Sequence, residues 1–195
     1  MARRAEIDRK TKETAIRCTV DLDGEGKVEA RTGVGFYDHM LDILGRHALI
    51  DITLQADGDL EVDPHHTVED VGIVLGQALA QALGDKKGIT RVGFGSVPLD
   101  EALAEATVDL SGRGFYARRG ELPRDQVGEF PTELVDDFFQ ALSGKLGATL
   151  HLNVVSGRNA HHIIECLFKS TARALRQAAA VDPRERGIPS TKGVL

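Results

Sequence analysis

Apolar and polar residues alternate along parts of this chain in the way that is typical of strands, and recur at helical spacing in others. Residues 14–21 alternate and predict a half-buried strand, and residues 27–33 and 48–56 are also predicted to be strands. Residues 37–46 carry apolar side chains every three or four positions, which predicts an amphipathic helix.

A second, longer helix is predicted after Asp63. Asp63 is a favourable N-cap, Pro64 suits the first helical position, and Gly84 suits the C-terminal cap. The apolar side chains between them fall on one face of this helix, which we expect to be buried: Val68, Val71, Leu75, Leu79 and Leu83.

The second half of the chain shows the same succession of patterns. Asn159 is predicted to cap its last helix, which runs to about residue 180. The other predicted elements of this half are strands at 104–110, 114–119 and 148–155 and a helix at 132–143. Residues 84–88 and 93–95, between the halves, are predicted to be loops because of their glycines.

The succession is matched by an internal repeat. Residues 19–31 and 107–119 are identical at seven of thirteen positions, including both glycines of a turn that we expect to join two antiparallel strands. Residues 36–41 correspond to residues 134–139, and the long loop at 122–131 explains why the second alignment is offset further than the first.

The repeat predicts an α+β fold made of two duplicated β-β-α-β-β-α halves, about 1–92 and 93–195, within a single domain. Each half is expected to form a mostly antiparallel four-stranded sheet with its helices on one face. Each half alone would leave an apolar face exposed, so we expect the halves to pack on each other.

Composition narrows the function classes. Of 195 residues, 42% are hydrophobic and 28% charged, which is typical of a soluble globular protein. There is no apolar run long enough for a transmembrane helix and no secretory signal pattern, so we expect a cytoplasmic protein without a membrane partner. The net charge of −6, with no basic run, argues against a nucleic-acid partner.

The motif His-His-x-x-Glu begins the last helix of each half, at His65 and again at His161. Neighbouring helical residues point about 100° apart, so the two histidines of one motif cannot easily bind one ion together. One such motif is more often ordinary helix-start chemistry, but two matched copies predict a site for two divalent ions. Imidazole and carboxylate ligands without thiolate favour Mn²⁺, Fe²⁺ or Co²⁺ over structural Zn²⁺.

These motifs together resemble the imidazoleglycerol-phosphate dehydratase family of histidine biosynthesis. The resemblance runs from residues 10–14 to residues 189–193 and is most specific at residues 36–41, 63–70 and 157–165. It implies a hydro-lyase that converts D-erythro-imidazoleglycerol phosphate to imidazoleacetol phosphate with two Mn²⁺ per active site. It also implies a homo-oligomer of twenty-four subunits with its active sites at subunit interfaces.

The resemblance implies eight metal ligands in this chain. Asp137 stands where the family usually has histidine, and the repeat pairs it with His39. It is either a carboxylate ligand whose shorter side chain has to reach the ion, or a solvated carboxylate on the helix face. The ligand set is His39, His65, His66, Glu69, Asp137, His161, His162 and Glu165.

The resemblance also implies residues that contact the phosphate substrate. Alternative roles are a surface ion pair for Arg91, an i,i+4 pair with Glu165 for Lys169, and a disordered end for the tail. His47 lies near the C-terminus of a helix, where a histidine is favourable, so a structural role would also explain it. His151 is expected to be a structural histidine. The implied set is Glu13, His39, His47, His65, Glu69, Arg91, Arg113, His161, Lys169, Ser190, Thr191 and Lys192.

Three carboxylates are candidates for catalysis, namely Glu165, Glu69 and Glu13. The proton acceptor at C2 stays open between Glu165, Glu13 and a metal-bound water. Two other classes of protein use similar ligands: a di-metal storage or redox protein, and a scaffold whose histidines cross-link subunits through metal. The first normally places its ligands in a four-helix bundle, and the second does not explain Arg113, Lys169 and the tail.

Overall fold

The computed structural model describes residues 3–123 and 125–195, which form two similar halves. Four strands and two helices make up the first half. In chain order these are β1 (Arg4–Lys10), β2 (Thr14–Asp21), β3 (Val28–Arg31), α1 (Gly35–Ala48), β4 (Asp51–Gly58) and α2 (His65–Leu83).

The second half repeats this order and adds a small hairpin of two-residue strands before its first helix. Its elements are β5 (Val92–Leu99), β6 (Ala102–Asp109), β7 (Phe115–Arg119), β8 (Gln126–Val127), β9 (Phe130–Pro131), α3 (Leu134–Leu146), β10 (Thr149–Ser156) and α4 (Ala160–Ala179).

The α+β class and the duplication are confirmed, but the order of elements within each half differs from the prediction. Each half runs β-β-β-α-β-α, apart from the added hairpin, and the sheets have the strand orders β1-β2-β4-β3 and β5-β6-β10-β7. The predicted pairing of β2 with β3, and of β6 with β7, is wrong. The later strand lies between them, antiparallel to one and parallel to the other.

The strands β1 and β5 were missing from the prediction, and β5 fell in a stretch that resembled a loop because of Gly93 and Gly95. Both glycines lie against α4: a Cβ atom at Gly93 would stand 1.9 Å from the carbonyl oxygen of Ala174, and one at Gly95 would stand 2.3 Å from that of Ser170. Glycine therefore allows helix α4 to approach the sheet closely. Helix α4 carries three of the eight candidate ligands, so this contact also positions the site.

The helices lie between the two sheets and pack across the halves. Helix α2 packs on β1 and β2 and also on α3 of the other half, while α4 packs on β5 and β6 and also on α1. The predicted packing of the two halves on each other is confirmed. The two helices α2 and α3 meet at Gly72, where an added Cβ atom would stand 2.8 Å from the carbonyl oxygen of Phe138.

The extra hairpin distinguishes the second half. Phe130 of β9 is fully buried, and its ring packs on Phe36 and Tyr37 of α1 with centroid distances of 5.6 and 5.8 Å. Phe36 in turn packs edge-on against the His161 ring at 5.1 Å. The predicted loop 122–131 thus supports a candidate ligand; Arg124 within it lies outside the described residues.

Each half also anchors the start of its first helix through an aspartate. Asp136 of α3 accepts hydrogen bonds from the Tyr116 hydroxyl at 2.6 Å and from Arg118 Nε at 2.7 Å, both on β7. Burial opposes ionisation of Asp136, but the hydrogen bonds from Arg118 and Tyr116 prevail and lower the pKa of its carboxyl group. Asp136 is therefore held as a carboxylate directly beside Asp137.

Two further features concern the cysteines and the membrane. Cys18 and Cys166 are free and buried, as is usual for this small apolar side chain, and burial raises the pKa of the Cys18 thiol to about 12. Within residues 3–123 and 125–195, none of the helices has the length and apolar character needed to cross a membrane.

Candidate metal and phosphate site

His39, His161 and Glu165 bring their ligand atoms together between α1 and α4. The Glu165 Oε2 atom lies 3.6 Å from His39 Nε2 and 3.3 Å from His161 Nε2. The Asn159 side chain caps α4 by accepting the His161 backbone N–H at 3.0 Å, as predicted. In the described part of the chain, this is the one group of three or more such ligand atoms that all lie within 4.8 Å of one another.

Lys169 lies one helical turn beyond Glu165 and donates a hydrogen bond to it. The Lys169 Nζ atom is 2.5 Å from Glu165 Oε1, and the Glu165 side chain is only 13% exposed. Burial opposes ionisation of Glu165, but Lys169, His39 and His161 together lower the pKa of its carboxyl group. Glu165 is therefore a carboxylate with both oxygens engaged.

A second cluster contains the repeat counterparts of the first three residues, namely Asp137, His65 and Glu69. The Glu69 Oε2 atom is 4.0 Å from His65 Nε2, whereas the Asp137 Oδ2 atom is 3.6 Å from His65 Nδ1. The two carboxylates thus lie near different nitrogens of one ring, and the cluster is more open than the first. Each cluster combines residues of both halves, because α2 packs on α3 as α1 packs on α4.

His66 and His162, the second histidines of the two motifs, point away from these clusters. Their rings are nearly perpendicular to those of His65 and His161, with interplanar angles of 77° and 88°. Their Nδ1 atoms face Asp59 and Glu101, which lie outside the clusters, so the splaying predicted from helix geometry is present. The eight predicted ligands accordingly do not converge on one point of the described chain.

Each of these two histidines pairs with a carboxylate that sequence reasoning missed. His66 Nδ1 is 3.0 Å from Asp59 Oδ2, and His162 Nδ1 is 2.9 Å from Glu101 Oε2. The hydrogen bond to Asp59 raises the pKa of His66, and the hydrogen bond from His162 lowers the pKa of Glu101 to about 2. The repeat offered a signal for Glu101, which aligns with Glu13, but no motif marked Asp59.

His47 lies in the last turn of α1, near Lys169. Burial, followed by the positive charges of Lys169 and Arg173, lowers the pKa of His47 below its ordinary value. Lys169, which is paired with Glu165, and Arg173 supply positive charge beside the first cluster. His151, by contrast, is exposed on β10 with its ring 5.6 Å from that of Phe115, outside both clusters.

The Arg91 guanidinium is engaged within the chain. Its Nε atom donates to Asp109 Oδ1 at 2.7 Å, and another nitrogen donates to the Pro189 carbonyl oxygen at 2.9 Å. The Arg91 backbone N–H donates to the Ala178 carbonyl oxygen at the end of α4. Arg91 therefore forms the ion pair that was its alternative role, and it also anchors the tail.

The tail residues 190–192 have local order next to this anchor. Ser190 accepts backbone N–H groups from Lys192, through its hydroxyl at 3.2 Å, and from Gly193, through its carbonyl at 3.0 Å. The end of the tail also reaches the turn that carries the exposed Arg113. Arg91, Arg113 and the tail thus form one neighbourhood.

Glu13 lies in the exposed turn between β1 and β2, beside the second motif histidine of the first half. Its carbonyl oxygen accepts the Asp59 backbone N–H at 3.1 Å, and its charge contributes to the raised pKa of His66. The turn is held by Thr14, whose hydroxyl donates to the buried carboxylate of Asp70 at 2.5 Å. A candidate catalytic carboxylate is thus fixed near a candidate ligand.

A surface cleft of about 560 Å³ adjoins the second cluster. Glu69 and Asp137 line one part of it, and Gln140 and Lys145 of α3 line another. The cleft therefore combines carboxylates with an amide and an ammonium group, which suits a polar, charged ligand.

The donor atoms of the first cluster fit a divalent cation. Ligands about 2.1 Å from a metal lie about 3.0–3.5 Å from one another, and the measured separations from Glu165 to the two imidazoles are 3.3 and 3.6 Å. The set has nitrogen and oxygen donors and no thiolate, because both cysteines are buried elsewhere in the core. This chemistry suits Mn²⁺ or a similar ion.

The chain is similar in sequence to a known protein family and to full-length relatives. A model of the family described as imidazoleglycerol-phosphate dehydratase matches residues 32–175. The protein of that name from Acidiphilium cryptum is 57% identical over 196 residues and that from Halorhodospira halophila 58% over 197, and both alignments cover 100% of each chain.

Solved structures show the same similarity in three dimensions. The imidazoleglycerol-phosphate dehydratase of Staphylococcus aureus has a TM-score of 0.84 and 36% identity, covering 92% of this chain and 99% of that one. The structure of the enzyme from Pyrococcus furiosus in complex with (S)-C348 has a TM-score of 0.84 and 35% identity, covering 97% and 100%. The similarity therefore extends over nearly the whole chain.

Proposed function

Because the chain belongs to the imidazoleglycerol-phosphate dehydratase family, and is thus a hydro-lyase of histidine biosynthesis, we propose that it dehydrates D-erythro-imidazoleglycerol phosphate using two Mn²⁺ ions per active site. The product is imidazoleacetol phosphate. The convergence of His39, His161 and Glu165 between two helices of different halves is the observation that carries the proposal.

His39, His161 and Glu165 would hold one ion, and the second cluster of His65, Glu69 and Asp137 would contribute to the other. His66 and His162 would add ligands from their outward positions. When bound, Mn²⁺ supplies Lewis acidity, which favours ionisation of the substrate's imidazole and holds its hydroxyl groups.

Dehydration removes the C2 proton and the hydroxyl group of the adjacent carbon as one water, leaving an enol that becomes the ketone. Glu165 is a poor proton acceptor, because Lys169 and the two imidazoles already engage its oxygens. Glu13 has an exposed side chain in a held turn, so we assign the C2 proton to Glu13.

The phosphate requires cationic donors. Lys169 and Arg173 supply positive charge beside the first cluster, and Lys169, which is held by Glu165, would place the phosphate at a fixed distance from the ligands. Arg113 and the tail residues Ser190, Thr191 and Lys192 would supply the remaining donors, and Arg91 would place the tail through Pro189.

The two parts of this site lie at opposite ends of α4 in one chain. Arg91 contacts Ala178, which follows Lys169 by nine residues and Glu165 by thirteen, or about 13 and 20 Å along the helix. The three-carbon chain between imidazole and phosphate is much shorter than 20 Å. The separation supports a homo-oligomer, which we propose to have twenty-four subunits, in which the tail of one copy completes the site of another.

The test compares the unmodified chain with His161→Ala and a matched histidine control, His151→Ala. Each protein is stripped of metal, reloaded with Mn²⁺, and measured for bound Mn²⁺ per chain, mass in solution and formation of the enolisable ketone. We expect His161→Ala to lose turnover and bound Mn²⁺, and His151→Ala to keep both. Metal-dependent assembly without ketone formation by the unmodified chain would instead support the scaffold function.

A further inference from the structure

The outward-pointing histidines of the two motifs share a feature that their sequence neighbours lack. His66 and His162 each have Nδ1 against a carboxylate, at 3.0 Å from Asp59 and at 2.9 Å from Glu101. Within residues 3–123 and 125–195, no hydrogen bond engages the other ring nitrogen, Nε2, which can therefore bind another partner. The side chains of His66 and His162 are 34% and 27% exposed, so that this partner can approach from outside.

The two carboxylates come from positions that the repeat does not relate. Asp59 follows β4, the last strand of the first half in chain order, whereas Glu101 lies in the turn between β5 and β6 of the second half. Glu101 aligns instead with Glu13. The same contact with a motif histidine is thus built in two ways, which argues against a feature merely inherited with the duplicated fold.

Both carboxylates are themselves held in place. Glu101 Oε1 accepts the backbone N–H groups of Asn159 at 2.9 Å and Arg158 at 3.2 Å, so that its Oε2 is directed at His162. The Asp59 carboxylate contacts His66 Nδ1 through both oxygens, at 3.0 and 3.2 Å. The backbone of Asp59 is fixed by its N–H donating to the Glu13 carbonyl oxygen.

A carboxylate at Nδ1 selects the imidazole tautomer that carries its proton there and leaves a lone pair on Nε2. We propose that Asp59 and Glu101 are positioning residues that orient His66 and His162 as Nε2 ligands for divalent cations lying outside this chain's own clusters. The inference rests on the proposed function, and it assigns to these two carboxylates a role that the ligand motif does not contain.

The experiment uses Asp59→Asn and Glu101→Gln, which keep the side-chain shape but remove the charge, with Glu105→Gln as control. Glu105 lies on β6 and contacts Asn153. We expect the Mn²⁺ dissociation constant to rise by about 10–100-fold in each of the two variants and to stay unchanged in the control. Free Mn²⁺ is measured by electron paramagnetic resonance during titration.

A second measurement separates orientation from general damage to the fold. In the metal-free proteins, ¹⁵N chemical shifts of the histidine rings report the tautomer at neutral pH. We expect the Nδ1–H form for His66 and His162 in the unmodified chain and mixed tautomers at the affected histidine in each variant, while Glu101→Asp restores the tautomer of His162.

The outcomes distinguish the two proposals. Equal Mn²⁺ dissociation constants in the unmodified chain and both variants, or unchanged tautomers, would overturn the positioning role whether or not the chain is active. Absence of dehydration by an unmodified chain that binds Mn²⁺ would count against the proposed function alone.

Discussion

Replacing Gly72 by alanine tests the close contact between α2 and α3, which joins the halves and sets the second cluster. The new Cβ atom would stand 2.8 Å from the Phe138 carbonyl oxygen and 3.0 Å from Ala141 Cβ, so that the helices must separate. Overpacking of this kind costs about 1–3 kcal/mol, against about 1 kcal/mol gained from helix propensity. We expect a net loss of up to about 2 kcal/mol in the free energy of unfolding.

Gly144→Ala is the matched control for this substitution. Gly144 also lies in a helix, α3, but a Cβ atom there would meet no atom within 4 Å. The control should therefore gain up to about 1 kcal/mol, so that the two variants change in opposite directions. Their difference isolates the steric cost.

The measurement is urea unfolding at fixed protein concentration, followed by far-ultraviolet circular dichroism and by tyrosine fluorescence, since the chain has no Trp. The Mn²⁺ content of Gly72→Ala should also fall, because separation of α2 from α3 moves Glu69 away from Asp137. If Gly72→Ala were as stable as Gly144→Ala, the close helix contact would be refuted.

Three further predictions concern single side chains. Asp137→Asn should lower the Mn²⁺ content from two ions to one per site, and an unchanged content would remove Asp137 from the ligands. The carboxyl pKa of Asp136 is lowered in the folded state, so its stabilising pair with Arg118 is present above pH 3.8 and lost as the pH falls through the lowered value. Asp136→Asn should therefore destabilise the chain at pH 7 and have little effect at the acid end, as urea unfolding at a series of pH values will show. Lys192→Ala should mainly raise KM, as steady-state kinetics will measure, and an unchanged KM would exclude the tail from phosphate binding.

The sequence allowed the helices and the duplication to be predicted because both depend on local patterns. Apolar spacing and caps such as Asn159 and Gly84 are visible within a short stretch of chain. Strand pairing depends on contacts between distant residues, which local patterns do not show. The strands β2 and β3 were therefore predicted to pair because they follow each other in sequence, although β4 lies between them. The strand β5 was missed because Gly93 and Gly95, read as loop residues, serve close packing against α4.

The candidate ligands could be identified from the sequence, but their grouping could not. The first cluster joins His39 of one half to His161 of the other, because α1 packs mainly on α4. Asp59 was not predicted for a related reason. It contacts His66 because the loop that joins β4 to α2 brings the two side chains together, and no local pattern marks that loop. Glu101 was within reach, since it aligns with Glu13.

The position of β4 between β2 and β3 has a consequence for biosynthesis. Strands β1 and β2 pair with each other, but the pairings of β2 and β3 with β4 can form only when β4 has been made, after α1. A nascent chain that ends before residue 51 therefore leaves β3 unpaired and one edge of β2 open. The same delay recurs before β10. Because non-local pairing slows folding, we expect the sheet of each half to be completed late. Partly folded chains with exposed strand edges should then be the forms that most need chaperones.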